Sequence, residues 1–214
     1  MSYSGSYRRL ALAVGEFVLL FALLILANVT IFVDATVLHN NLSEKSFSQF
    51  LQSYFILMSS AIFALGAAWF PFKRGYLALV AILFACMFIR ENDAVFDLVW
   101  HGFWIVPALS ILLVGGWYIA RNRHTLLEPI LSQSNGRYSA LICAGFLIIV
   151  VFSRLFGTGS FWEAVMGSNY NPDFKSIIQE GIELLGYVLI FHGSCMTFLG
   201  WFADHTNLPR RFTP

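Results

Sequence analysis

The chain has 214 residues, of which 58% are hydrophobic and only 12% charged, against about 25% charged in water-soluble domains. So few charges cannot cover a water-soluble fold of this length, so lipid is the expected solvent and the lipid bilayer the expected partner for most of the chain. A net charge of +1, with no basic stripe interleaved with aromatics, excludes nucleic acid as a partner.

The first apolar stretch follows "YRR" and covers 10–33. A cleavable signal core is typically about 7–15 residues, whereas about 20 residues cross a bilayer. It reads as a first transmembrane helix. Glu16, about 9 Å into it, reads as a carboxylate snorkelling toward Arg8 or Arg9, with an inner gate residue as the alternative. Asn28 and Thr30 fall in its outer half. The outer loop after it contains "NLS" at 41–43, a glycosylation sequon that matters only in a secretory-pathway host. The second stretch, 47–70, carries Gln49, Gln52 and Tyr54 in its outer half.

The third, 77–97, runs into "RENDAVFDLVWH" at 90–101. With entry at Leu77, Glu91 lies about 21 Å along the helix, inside a hydrocarbon core about 30 Å thick. Arg90 and Glu91 are therefore expected below the outer interface and Asp97 at it. Arg90, Asp93, Asp97 and His101 form one stripe if the helix continues, since successive members are three or four apart. The fourth stretch, 102–120, opens beside His101, and "RNRHTLLEPILSQSNGR" at 121–137 reads as a connection. The fifth, 138–155, ends on Arg154. The segment 156–176 reads as an interfacial loop with a short helix around Phe161 to Met166, in which Trp162 and Tyr170 suit the headgroup level. In the sixth, 177–202, Glu180, Glu183 and Tyr187 share a face, with Glu183 about 9 Å and Tyr187 about 15 Å deep. His192 points away from Glu183. Gly186, Gly193 and Gly200 recur every seven residues, a small-residue seam for close helix packing.

The expectation is a single all-α domain spanning 1–214, a six-transmembrane-helix bundle with both termini inside (N-in, C-in). Orientation follows from Lys and Arg. Arg8, Arg9, Lys73, Arg74, Arg121, Arg123, Arg137, Arg210 and Arg211 share one side, and only Lys45, Arg90, Arg154 and Lys175 the other. The richer side is cytoplasmic by the positive-inside rule. Most acids lie on the opposite side: Asp34, Glu44, Glu91, Asp93, Asp97, Glu163, Asp173, Glu180 and Glu183. Short connections and the lack of a targeting signal suggest a multi-pass protein of a bacterial inner membrane.

Intramembrane acids are costly and tend to be paired or to line ion and substrate paths. The candidate ligand-binding set is Arg90, Glu91, Asp97, His101, Arg154, Glu180, Glu183 and Tyr187. Two arginines for three embedded acids leave an acid over, which points to an outward-facing acidic cavity binding a small cationic or protonatable ligand, with translocation as an extension. Three alternatives stay open. The arginines and acids could instead be an ion-pair staple between helices. Asp97, His101, Glu180 and Glu183 offer oxygen and imidazole ligands for Zn²⁺ or Mn²⁺ in a membrane hydrolase or lipid-modifying enzyme, although HExxH and GxSxG are absent. A non-catalytic subunit, bound to a membrane-protein partner or to copies of itself, fits the short loops equally well. Cys86, Cys143 and Cys195 sit in apolar runs without CxxC spacing and read as buried small hydrophobes.

Overall fold

Many large apolar side chains of the described residues are exposed. The computed structural model describes residues 3–39, 46–133 and 136–207, and all regular structure among them is helical. The sequon at 41–43, Glu44, Lys45, Arg210 and Arg211 lie outside the described residues. In chain order the α-helices are α1 (Tyr3–Phe32), α2 (Phe47–Trp69), α3 (Arg74–Glu91), α4 (Asp93–Asp97), α5 (Ile105–Arg121), α6 (Leu127–Gln133), α7 (Arg137–Leu147), α8 (Ser153–Phe156), α9 (Gly159–Met166) and α10 (Pro172–Asn207). Two wider π-helical turns occur, Val33–Val37 after α1 and Ile148–Phe152 between α7 and α8.

Five runs are long and apolar enough to cross a membrane: Leu10–Val37, Phe47–Trp69, Pro71–Glu91, Arg137–Phe156 and Pro172–Trp201. Ile105–Arg121 makes a sixth if it is counted with Arg123–Ser132, from which it is bent by 84°. With 17 residues, α5 is about 25 Å long, at the short end of what spans a bilayer. The exposed faces are those of a chain that does not hide its apolar surface from its solvent: in the first run only 11% of the apolar window is buried.

Several boundaries differ from the sequence expectation: the first run reaches Val37 rather than 33, the sixth starts at Pro172 rather than 177, and the third is shifted at both ends. The third run starts at Pro71 rather than 77 because Pro71–Lys73 forms a tight helical turn leading into Arg74. Proline suits such a first turn, where its missing N–H costs nothing. The run also ends sooner, because Asn92 (φ −107°, ψ 29°) leaves helical geometry and separates α3 from α4. The single stripe from Arg90 to His101 is therefore broken at its second member. Residues 121–137 are more than a connection, since they contain α6.

The chain divides into two compact units, Met1–Gln52 with Ala144–His192, and Ser53–Cys143 with Gly193–Pro214. In the first, Leu23, Ala27, Ile149, Trp162, Leu184, Tyr187, Val188 and Ile190 are buried. Its α7 and α10 touch backbone to backbone: a Cβ added at Gly186 would lie 2.9 Å from the Gly145 carbonyl oxygen. In the second unit, Phe55, Ile56, Phe63, Leu77, Phe84, Met196 and Trp201 form the core. The Phe63 and Phe84 rings meet edge to face at 5.7 Å, and Trp201 closes on Phe63 and Phe70. Gly193 lies against Tyr138 and Ile142 of α7, whereas Gly200 has nothing within 4 Å of where a Cβ would stand. The small-residue seam thus works at two of its three positions.

Candidate functional site

Helical spacing alone places Gln179 one turn before Glu183 on α10, and Arg154 and Ser153 begin α8 just after a π-helical turn. The turn accommodates one more residue than an α-helical turn, which rotates everything beyond it by about 100°. Ser153 and Arg154 meet Glu183 in that register. Glu183 is 5% exposed, and its Oε1 accepts from Arg154 Nη2 at 3.1 Å and from Gln179 Nε2 at 3.1 Å. Ser153 Oγ lies 3.0 Å from the same oxygen and 2.6 Å from the Ile149 carbonyl, so its single proton serves either acceptor. The Arg154 side chain is 57% exposed. One end of its guanidinium holds Glu183 while the rest faces outward.

The segment preceding α10 is tied to this group. A Cβ at Gly157 would fall 2.5 Å from Gln179 Oε1, so the loop backbone packs directly on the amide that serves Glu183. Trp162, buried, donates Nε1–H to the Phe156 carbonyl at 2.7 Å and stands edge to face against Phe174 at 5.5 Å. The expected interfacial helix is present as α9, and Trp162 faces inward rather than lying in an aromatic belt.

Gln52, at the start of α2, completes the buried polar group. It is fully buried and gives its Nε2 to Glu180 Oε2 at 3.0 Å and to the Glu180 carbonyl at 3.3 Å. Its Oε1 has no hydrogen-bond donor among the described residues. Leaving a buried acceptor unmet costs about 1–3 kcal/mol in general, so such an atom asks for a donor or a cation. Tyr187 is buried one turn beyond Glu183.

The remaining candidates lie in the second unit, where Arg90, Asp97 and His101 pair locally. Arg90 ion-pairs with Asp93, three residues on, and its guanidinium sits 5.8 Å from the centre of the Trp104 ring. As a partner for the acids of another helix, Arg90 is thus already engaged within its own stretch. Asp97 Oδ2 lies 2.9 Å from His101 Nδ1, and its Oδ1 accepts from Gly102 N–H at 2.8 Å. The carboxylate therefore closes the turn that leads to α5, where Gly102 takes φ +86°. His101 is fully exposed. Glu91 is the last residue of α3 and half-buried. The candidate set thus falls into Arg154, Glu180, Glu183 and Tyr187 in one unit, and Arg90, Glu91, Asp97 and His101 in the other.

Two polar residues in the last third of α1 serve their own backbone. Asn28 Nδ2 donates to the Leu24 carbonyl at 2.8 Å and Thr30 Oγ1 to the Leu26 carbonyl at 2.8 Å. Asp34, one of the acids opposite the basic side in the sequence, is fully buried. It accepts from Phe47 N–H at 3.1 Å, Ser48 N–H at 2.7 Å and the Ser48 hydroxyl, which caps the N-terminus of α2 from the end of α1. An acid at that pole of a helix is favoured by the peptide dipoles. Ser46 accepts from Gln49 N–H at 3.2 Å. The spacing S-x-x-Q at 46–49 is the capping-box signal that marks this helix start.

A groove of about 220 Å³ bounded by Leu26, Val29, Thr30, Val33, Phe47, Phe50 and Leu51 is almost wholly apolar, and none of the acids lines it. Among the described residues no three His, Cys, Asp or Glu come together as metal ligands, so the hydrolase alternative gains no support from the geometry. Comparison with protein-family models, curated proteins and solved structures finds nothing that matches this chain.

Proposed function

We propose that this chain is a six-crossing membrane protein with both termini on the cytoplasmic side, and that the buried polar group of its first unit binds a small cation or protonated amine from the outer side. Translocation of that ligand is an extension of the same reading. The observation that carries the proposal is Gln52. Its amide is fully buried, its NH₂ is committed to Glu180, and its Oε1 is left as an acceptor beside a carboxylate. An amide oxygen and a carboxylate suit a sodium ion, an ammonium or a protonated amine, each of which brings positive charge or donors to buried acceptors. Arg154 already balances the charge of Glu183, so the proposed counter-charge for the ligand is the Glu180 carboxylate. An acid that a protein retains in an apolar span is, by default, a place where ions or protons are handled.

The test is thermal unfolding of the full chain in a neutral detergent, with sodium chloride or methylammonium chloride titrated against choline chloride at constant ionic strength. A ligand that binds only the folded state raises the unfolding midpoint with concentration. The wild type is expected to respond to one of the small cations and not to choline, and Gln52→Leu and Glu180→Gln are expected to abolish the response. Equal midpoints in all three salts would refute the assignment.

Orientation is checked by labelling single cysteines in a background without Cys86, Cys143 and Cys195. Ser168→Cys is expected to react with an impermeant maleimide added to intact cells, and Ser132→Cys only after permeabilisation. The reverse pattern would invert the topology.

A further inference from the structure

We propose that the end of the second unit built from the 71–75 and 121–126 turns is a binding site for the phosphate headgroup of an anionic membrane lipid. It rests on the bilayer part of the reading above and is independent of the cation site.

The two turns are locked together by backbone. Gly75 N–H donates to Thr125 Oγ1 at 2.8 Å, and Thr125 Oγ1 donates to the Asn122 carbonyl at 2.7 Å. A Cβ at Gly75 would stand 2.7 Å from that same carbonyl oxygen, so the contact needs glycine. Lys73 and Arg74 flank one side of this buried lock, and Arg121, Arg123 and His124 flank the other. Glu128 is the one carboxylate in either turn or the residues just after them. Among the described residues none of Lys73, Arg121, Arg123 and His124 is paired with a carboxylate. Arg74 spends only Nε, on the Ala67 carbonyl at 3.0 Å. Arg121 stacks 4.6 Å from the centre of the Trp117 ring, which fixes the guanidinium plane and leaves its edge donors available for a phosphate.

Insertion by the positive-inside rule requires basic residues near helix ends. It does not require them to converge through a glycine–threonine lock. The apolar neighbours select the kind of anion. Leu127 and Leu131, one turn apart on α6, are 68% and 62% exposed, and Phe72 is also exposed. Because α6 is turned 84° from α5, it would lie along the membrane surface where α5 crosses. Guanidinium groups beside apolar side chains match an amphiphile, with phosphate on the former and acyl chain on the latter. A free phosphate would satisfy the charges and make no use of the leucines.

Native mass spectrometry of the full chain in neutral detergent, with phosphatidylglycerol and phosphatidylcholine at equal concentration, tests the site. Phosphatidylglycerol is expected to be retained preferentially. That preference is expected to fall about tenfold in the double variant Arg121→Gln/Arg123→Gln and to be unchanged in Lys175→Gln, a basic residue of the other unit. Should the double variant fail to fold, Lys73→Gln and Arg123→Gln singly are expected to show partial losses. Equal retention of the two lipids would overturn the proposal, as would a loss in Lys175→Gln equal to that in the double variant. Displacement of the lipid by millimolar inorganic phosphate would also overturn it, because the ligand would then be a free anion. Whether the chain needs detergent to stay in solution tests the bilayer reading by itself, so failure of the two can be told apart.

Discussion

Glu183→Leu is expected to lower the thermal midpoint of the purified protein clearly and reduce its folded yield, while Glu183→Gln lowers it only slightly. Leucine removes the one oxygen on which Gln179, Arg154 and Ser153 meet. The three donors do not suffer equally. Arg154 is more than half exposed and can turn outward, and Ser153 keeps the Ile149 carbonyl. Gln179 is left with a half-buried amide and no acceptor, a cost of about 1–3 kcal/mol. Glutamine keeps an oxygen in place and loses only the charge. That charge faces a guanidinium screened by its own exposure, so its share is of order 0–1 kcal/mol. Circular-dichroism melting in micelles measures the difference, and Arg154→Gln should cost more than Glu183→Gln, because it leaves the buried Glu183 charge without its counter-ion. Equal losses in Glu183→Gln and Glu183→Leu would mean that charge, and not the shared oxygen, holds α8 to α10.

A larger effect is expected from Gly186→Val. The first added carbon would already lie 2.9 Å from the Gly145 carbonyl oxygen and 3.1 Å from Ile149 Cδ1, and a backbone oxygen cannot swing aside as a side chain can. Overpacking of this kind costs about 1–3 kcal/mol and sometimes more, here by forcing α7 and α10 apart. Gly145→Val should do the same from the other side, since its Cβ would meet Gly186 O at 2.5 Å. Gly200→Val is the control. Nothing lies within 4 Å of its Cβ position, and a change of about 0.5 kcal/mol or less is expected. Size-exclusion yield and melting midpoint of the three variants give the comparison. A Gly200 defect as large as that of Gly186 would show that glycine is needed along α10 for a reason other than contact with α7.

The helical fold and its long apolar runs were legible because they depend on sums over many residues, and the 12% charged content points to them without knowledge of any contact. Helix ends were less legible. "PFKR" reads as loop from its charges, yet Lys73 and Arg74 lead into α3. The acids and the arginine of the first unit could be named in advance, including the facing of Glu180, Glu183 and Tyr187, because they lie on one uninterrupted helix. The meeting of Arg154 with Glu183 could be suspected but not placed, since the π-helical turn at Ile148–Phe152 shifts the face of every residue after it and has no compositional mark in "IIVVF". Gln52 was noted only as polar. Its importance lies in which of its two amide atoms is satisfied, a fact that exists only once Glu180 is beside it. The role of Asp34 was not legible either: neither an acid just past an apolar run nor the S-x-x-Q that begins the next helix shows that the cap comes from the end of the preceding helix.

The Asp34 cap has a consequence for the order in which the chain assembles. Most of the length of α1 is apolar and little of it is covered, so in a bilayer it is stable alone and gains little by packing. One attachment is the Asp34 carboxylate in the π-helical turn after α1, gripping two amides and a hydroxyl at the head of the next helix. That attachment cannot form until α2 has started, and it then forms between neighbours in the chain. The first hairpin is therefore fastened at its tip, before any part of α10 has been made, while its stem stays open to whatever lies alongside.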